Sequence, residues 1–336
     1  MRRRDFIAGL TSTAALPLAA RSQQPNVPVL GLLNGASFDG PYAAAIAAIR
    51  RGLEAAGFVE GRNLVLEYRS ADGRYERLPE LASDLIGRQV AAIVAIGGVP
   101  AELAAKANSS TVPIVFAGGS DAVEVGLLNR LERPQAAPSF PSLASGEGGT
   151  SAAAGPASRR LELMLELRRG TALVAYLDNS RLSAAFNANV ESLQEAARNR
   201  GRDFLVLDAG SDSGVETAFT RMALQRVRGL VVGPDPFLIS RQQQIIGLAA
   251  ESGLPAIYAT RGAAVLGGLM SYGVLTDDMY RLAGIYAGRI LKGEAPADSP
   301  VLLPTRFELV INRRTADALR LALPRQLLVR ADEIIY

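Results

Sequence analysis

The sequence predicts an α/β protein of two Rossmann-like lobes with parallel sheets and a cleft between them. Three observations carry this expectation. Short apolar runs alternate along the chain with longer amphipathic stretches, the signature of βαβ units. The rhythm occurs twice, and the spacing from Asn34 to Gly57 nearly equals that from Asn179 to Gly201. At 336 residues, with 49% apolar and 21% charged side chains, the chain is long enough for two domains and globular in composition.

The run Val29-Leu30-Gly31-Leu32-Leu33 reads as the first buried strand, ending at Asn34-Gly35. A helix over 41–56 follows and stops at Gly57, where a glycine can take the left-handed turn past a helix end. Strands over 64–68, 90–96 and 112–117 and helices over 76–88 and 101–108 complete the first half. In the second half, strands over 172–177, 203–207, 229–232 and 254–258 alternate with helices over 181–200, 215–226 and 240–251. The tail from Gly267 to Tyr336 adds a strand, a helix over 277–292 and a strand over 307–311, enough chain to return to both lobes and form a hinge. One large doubly wound sheet is the alternative architecture. Residues 133–158 fit neither half: they are rich in Pro, Ala, Ser and Gly without apolar periodicity, and read as an atypical linker. The expected organisation is a leader over 1–22, a first lobe over 23–132, the linker, a second lobe over 159–258, and a segment over 259–336 that contributes to both lobes.

The leader opens with Arg3-Arg4-Asp5-Phe6-Ile7, continues apolar to Ala20 and ends in Ala20-Arg21-Ser22. Paired arginines before a weakly apolar stretch and small residues describe a cleavable export signal, similar to the twin-arginine type that carries folded proteins. Cleavage is expected before Gln23, leaving the protein in the periplasm. An N-terminal helix of the domain, or a membrane anchor, is the competing reading; the stretch falls short of the ~20 residues a span needs. Arg2, Arg3, Arg4 and Arg21 against Asp5 account for the whole net charge of +3. The body is therefore neutral, with no basic stripe to hold nucleic acid.

The chain has no Cys and no His. Disulfides, thiolate and imidazole metal sites, Cys nucleophiles and imidazole-based triads are excluded. No Gly-x4-Gly-Lys phosphate loop exists, Gly118-Gly119-Ser120-Asp121-Ala122 lacks the last glycine of a nucleophile elbow, and the glycines over 146–149 follow no strand. No cofactor is expected. A carboxylate pair such as Asp121 with Asp235 leaves a His-free hydrolase open.

In open parallel sheets, ligands bind at the carboxyl ends of strands. The strand ends here carry Asn34, Gly35 and Ser37; Gly97 and Gly98; Gly118 to Asp121; Asp178, Asn179 and Ser180; Asp235 and Phe237; Tyr258; and Ser271, Tyr272 and Gly273. Glycines admit a ligand to backbone amides that favour an anion, Asp121 and Asp235 suit an ammonium, and Phe237, Tyr258 and Tyr272 offer ring faces. Each Ser, Asp or Asn here also fits a plain helix cap, and Pro234 and Pro236 also fit a plain turn.

Several segments resemble the ABC transporter substrate-binding protein family of the tryptophan/tyrosine-binding type. They include Gly31-Leu32-Leu33-Asn34, the run from Gly52 to Asn63, Pro113-Ile114-Val115-Phe116, Gly233-Pro234-Asp235-Pro236-Phe237, Gly268-Leu269-Met270-Ser271-Tyr272-Gly273, the run from Ala287 to Glu294, and Phe307 to Asn312. The resemblance implies a type I-like periplasmic binding fold with three hinge crossings, closing on a small solute and delivering it to an ABC permease in the inner membrane. It places the solute against Asn34, Ser37, Gly97, Asp121, Asn179, Asp235, Tyr258 and Tyr272; Gly98 and Phe237 join them from the strand-end reading. Two departures stand out. Gln135-Ala136-Ala137-Pro138 replaces a Gly-Gly-Asn-Val-Thr-Gly-like hinge strand, through an insertion or a shifted reading frame, and the Gly97-Gly98-Val99-Pro100 loop lacks the hydroxyl that relatives often carry. The expected protein is a monomeric, non-catalytic solute-binding component, the solute an amino acid or other small carboxylate. A ligand sensor presenting its bound state to a membrane receptor is the alternative.

Overall fold

The computed structural model describes residues 27–117, 156–167, 173–179, 183–294 and 307–336, with side chains left out at 183–189 and 192. The leader, Asp121 and residues 133–155 lie outside the described residues.

The first lobe is a parallel sheet of β1 (Val29–Asn34), β2 (Val65–Ser70), β3 (Ala92–Ile96) and β4 (Ile114–Ala117), in the order β2-β1-β3-β4. Helices α1 (Pro41–Ala55), α2 (Leu78–Gly87) and α3 (Val99–Asn108) connect the strands. β1 and β3 are apolar almost without interruption because both faces of the sheet are covered. Ile46, Ile49 and Leu53 of α1 pack on one face, and Leu78, Ala82 and Leu85 of α2 with Ala101 and Ala105 of α3 pack on the other. α1 starts at Pro41, whose fixed φ suits a first helical position, and ends ahead of Gly57 at φ 90°.

The second lobe holds seven strands: β5 (Val174–Asp178), β6 (Phe204–Asp208), β7 (Gly229–Val232), β8 (Ala256–Tyr258), β9 (Met270–Val274), β10 (Phe307–Asn312) and β11 (Glu333–Ile335). Their order is β11-β10-β9-β8-β7-β5-β6, parallel except for β9 against β10. The run β6-β5-β7-β8 repeats β2-β1-β3-β4, so the repetition read from the sequence is also a repetition of topology. Helices α4 (Pro156–Leu167), α5 (Ser183–Arg198), α6 (Asp212–Leu224), α7 (Pro236–Ser240), α8 (Gln242–Glu251) and α9 (Arg261–Val265) belong to this half. Leu161 and Met164 of α4 pack on one side of the sheet; Val215 and Phe219 of α6 with Ile245 of α8 pack on the other.

Two local differences from the sequence expectation have physical causes. The helix expected over 240–251 is present as α8, and a short helix that was not expected, α7, precedes it. The Asp235 carboxylate caps Phe237 and Leu238, and Pro236 follows it, so α7 starts at Pro236 and α8 follows at Gln242. α4 begins at Pro156, inside the stretch read as linker, because Ala157 and Ser158 are already buried against the lobe.

After β9 the chain leaves the second sheet. Helix α10 (Thr276–Leu291) lies on α1 of the first lobe, with Ala283 and Ala287 completing its apolar cluster, and β10 then returns beside β9. α10 and α1 cross with backbone against backbone: a Cβ on Gly52 would lie 2.0 Å from the Arg281 carbonyl oxygen, and one on Gly284 2.1 Å from that of Ile49. Two short helices, α11 (Arg313–Ala318) and α12 (Arg325–Val329), follow. Among the described residues no helix is long and apolar enough to cross a membrane.

Candidate functional site

A cavity of about 760 Å³ lies between the lobes. The first lobe contributes the start of α1, with Tyr42, and the Gly98-Val99 start of α3; the second contributes Asp178 and Asn179 after β5, Asp235 after β7, and the start of α9. Arg160 of α4 and the Val274–Tyr280 crossing close the remaining sides. Strand ends feeding helix starts thus converge from both lobes, the arrangement in which α/β folds hold small molecules.

At one side of this cavity the lobes touch through a buried polar cluster. Tyr75, from a single 3₁₀ turn (Tyr75–Arg77) after β2, donates its hydroxyl to Asp235 Oδ2 at 2.8 Å. The same hydroxyl accepts the Phe237 amide at 3.0 Å. Asp235 Oδ1 accepts Asn179 Nδ2 at 3.3 Å and the amides of Phe237 and Leu238 at 2.9 and 3.3 Å. Asp235 is only 3% exposed, and burial pushes its carboxyl up to about 6 even though these hydrogen bonds pull the other way. Burial first, and the neighbouring Asp235 second, hold the Tyr75 phenol well above its usual range. Two glycines permit this closeness. A Cβ on Gly73 would stand 2.9 Å from the Phe237 ring, and one on Gly98 3.0 Å from Pro236; both glycines have positive φ.

Asp178 is buried, accepting the Tyr176 hydroxyl at 2.5 Å and the Asn179 amide at 2.9 Å. Arg160 is 1% exposed and lines the cavity. Its Nη1 donates to the Tyr272 carbonyl at 3.2 Å, while Nε and Nη2 are buried and have no partner among the described residues.

Of the residues singled out from the sequence, the structure brings Gly98, Asn179 and Asp235 together on the cavity wall. Asn34, Ser37 and Gly97 form one tight loop beside it: Asn34 Nδ2 donates to the Ser37 carbonyl at 3.0 Å, and its Oδ1 accepts the Ala36 amide at 3.1 Å. A Cβ on Gly97 would fall 1.9 Å from that Oδ1, so glycine is needed for the loop itself. The three rings expected to offer faces are turned elsewhere. Phe237 packs under the Arg241 guanidinium, 5.2 Å from ring centroid to charge; Tyr258 is in the core against Gly268; Tyr272 stacks on Phe307 with centroids 5.8 Å apart. Each ring gains more from apolar packing inside its lobe than from facing a polar cleft. The aromatic residues that do line the cavity are Tyr42 and Tyr280, on α1 and α10. Tyr75 and Arg160 also escaped the sequence reading. Tyr75 stands just past the Asp72-Gly73 turn that ends β2, a strand-end position with the same logic as the others. Arg160 follows Arg159, and nothing in the sequence separates the buried one from its solvent-facing neighbour.

Residues 26–335 match the family described as ABC transporter substrate binding protein. The chain is 24% identical over 297 residues to a tyrosine-binding protein of Clostridioides difficile, covering 88% of this chain and 81% of that one. Among solved structures, a conserved domain protein from Vibrio cholerae O1 biovar eltor superposes with a TM-score of 0.77 at 22% identity, over 92% of this chain and 99% of the other. An ABC domain in complex with L-Trp from Streptococcus pneumoniae gives a TM-score of 0.73 at 19% identity, again over 92% and 99%.

Proposed function

The chain belongs to the family of ABC transporter substrate binding proteins, and from that premise we propose that it is the exported solute-binding component of one transporter. Its twin-arginine-like leader directs it to the periplasm and is removed before Gln23. There it acts as a monomer, taking up a small solute and presenting it to a permease in the inner membrane. The solute is an amino acid or another small carboxylate, in keeping with the tyrosine and L-Trp named for two similar proteins.

The observation that carries this reading is the cavity between the lobes, about 760 Å³ with walls from both. A solute seated there contacts the start of α1 and α3 on one side and Asn179 and Asp235 on the other. It therefore stabilises the lobes in contact over the lobes apart, and only a solute with such differential affinity shifts the equilibrium. The lobe-to-lobe bond from Tyr75 to Asp235 adds to the closed arrangement. The Asn34-Ser37-Gly97 loop supports the cavity wall, and Asp121 joins the ligand set from the resemblance.

A thermal-shift screen of the chain starting at Gln23, against amino acids, aromatic acids and small carboxylates, tests this. A bound solute at 100 times its dissociation constant raises stability by about 2.7 kcal/mol. The expected result is a selective shift with one chemical group of solutes. A cooperative melt that no solute moves overturns the reading.

A further inference from the structure

We propose that Arg160 is the anchor for a carboxylate on the solute, an inference that rests on the solute-binding reading above. The guanidinium is 1% exposed yet forms part of the cavity wall. One nitrogen, Nη1, is committed to the Tyr272 carbonyl at 3.2 Å, which fixes the plane of the group. The other two, Nε and Nη2, are buried without a partner among the described residues. A guanidinium does not lose its charge by deprotonation, so its burial demands an anion or acceptor.

The shape of the unused donors specifies which anion. Nε and Nη2 form the side edge of the guanidinium, two parallel N–H bonds that match the two oxygens of a carboxylate. This protein uses the same edge twice on its surface. Arg241 meets Asp212 through Nε at 2.5 Å and Nη2 at 3.3 Å, and Arg261 meets Glu333 through Nε and Nη2, both at 2.8 Å. Arg160 offers the identical edge inside the cavity, with no acid among the described residues on it. Asp178, Asp235 and Glu308 line the same cavity, so a single carboxylate is admitted more easily than a doubly charged phosphate. The apolar body of the solute then extends along Tyr42, Met279 and Tyr280. α4 is well suited to hold the group, since Leu161, Leu163 and Met164 beside Arg160 anchor the helix in the core of the second lobe.

Isothermal titration of the chain from Gln23 with matched pairs tests the assignment: L-tryptophan and L-tryptophanamide, L-tyrosine and L-tyrosinamide, benzoate and benzamide, with inorganic phosphate and sulfate alongside. The wild type is expected to bind at least one acid about tenfold or more tighter than its amide. Arg160→Gln is expected to lose that discrimination, weakening the acid about tenfold or more and leaving the amide unchanged. Arg160→Lys, which keeps the charge and loses the fork, is expected to fall between them, and it decides the matter if Arg160→Gln does not fold by circular dichroism. Equal affinity for acid and amide, or either variant binding the acid as the wild type does, overturns the role of Arg160 while leaving the solute-binding reading intact. So does a wild type that binds only a neutral solute from the screen, or only phosphate or sulfate. A wild type that binds nothing in the screen overturns the solute-binding reading, and this inference with it.

Discussion

Asp235 does two things at once: it caps α7 and receives the Tyr75 hydroxyl from the other lobe. Its carboxyl titrates at about 6 in the folded chain, against about 3.9 for an unfolded Asp. The folded state therefore holds the proton more tightly, and stability falls as pH rises between about 3.9 and about 6; by pH 7 the cost has levelled at about 3 kcal/mol. The cost is relieved as pH falls, with about 1 kcal/mol returning between pH 7 and pH 5. Asp235→Asn removes that component, so urea unfolding at the two pH values is expected to show a flatter dependence in the variant; an unchanged dependence would assign the wild-type slope to other groups. The residue was legible in the sequence because it follows a strand and precedes a helix, where caps and ligand contacts coincide. Arg160 was not, because only the packing of α4 decides that Arg160 turns inward while Arg159 pairs with Glu162 at 2.7 Å. Tyr258 misled for the complementary reason: a strand-end ring is indistinguishable in sequence from a core ring.

At the level of elements, α1 and α10 cross in close backbone contact. Gly52 and Gly284 meet with no room for a methyl group, since the nearest atoms are backbone and cannot swing aside. Gly52→Ala and Gly284→Ala are each expected to force the helices apart and lower stability by about 1–3 kcal/mol, read from urea midpoints. Gly57→Ala, at a positive-φ helix end with open space around it, is expected to cost only the backbone strain, about 1 kcal/mol. Unchanged midpoints for the first two variants would mean that α10 docks less closely than it does here. The strands and the longer helices were readable from apolar runs and terminal glycines, because burial on both sheet faces writes itself into composition. The short helix α7 was not, since it depends on one capping carboxylate. Nor was β11, which pairs only with β10 and whose residues are all half-buried.

For the whole molecule, among the described residues Tyr75 joins the lobes at one side of the cavity through two hydrogen bonds, beside the close approaches of Gly73 and Gly98. Tyr75→Phe removes both the hydroxyl that reaches Asp235 and the acceptor for the Phe237 amide. It is expected to shift the ligand-free protein toward separated lobes, seen as a larger radius of gyration in X-ray scattering, and to weaken solute binding about three- to tenfold. An unchanged radius and affinity would show that this bond does not bias closure. The doubled rhythm of the chain announced two lobes, whereas the pairing of one lobe with a helix from the far end of the chain left no trace in local sequence. That pairing also dictates when the protein can finish folding. Arg51 on α1 meets Asp277 on α10, 226 positions later. A ribosome adding about 5–20 residues per second needs roughly 10–45 s to span that interval, so throughout it the first lobe waits with the Gly52 side of α1 uncovered. The molecule thus becomes a completed body only after nearly all of it has been made.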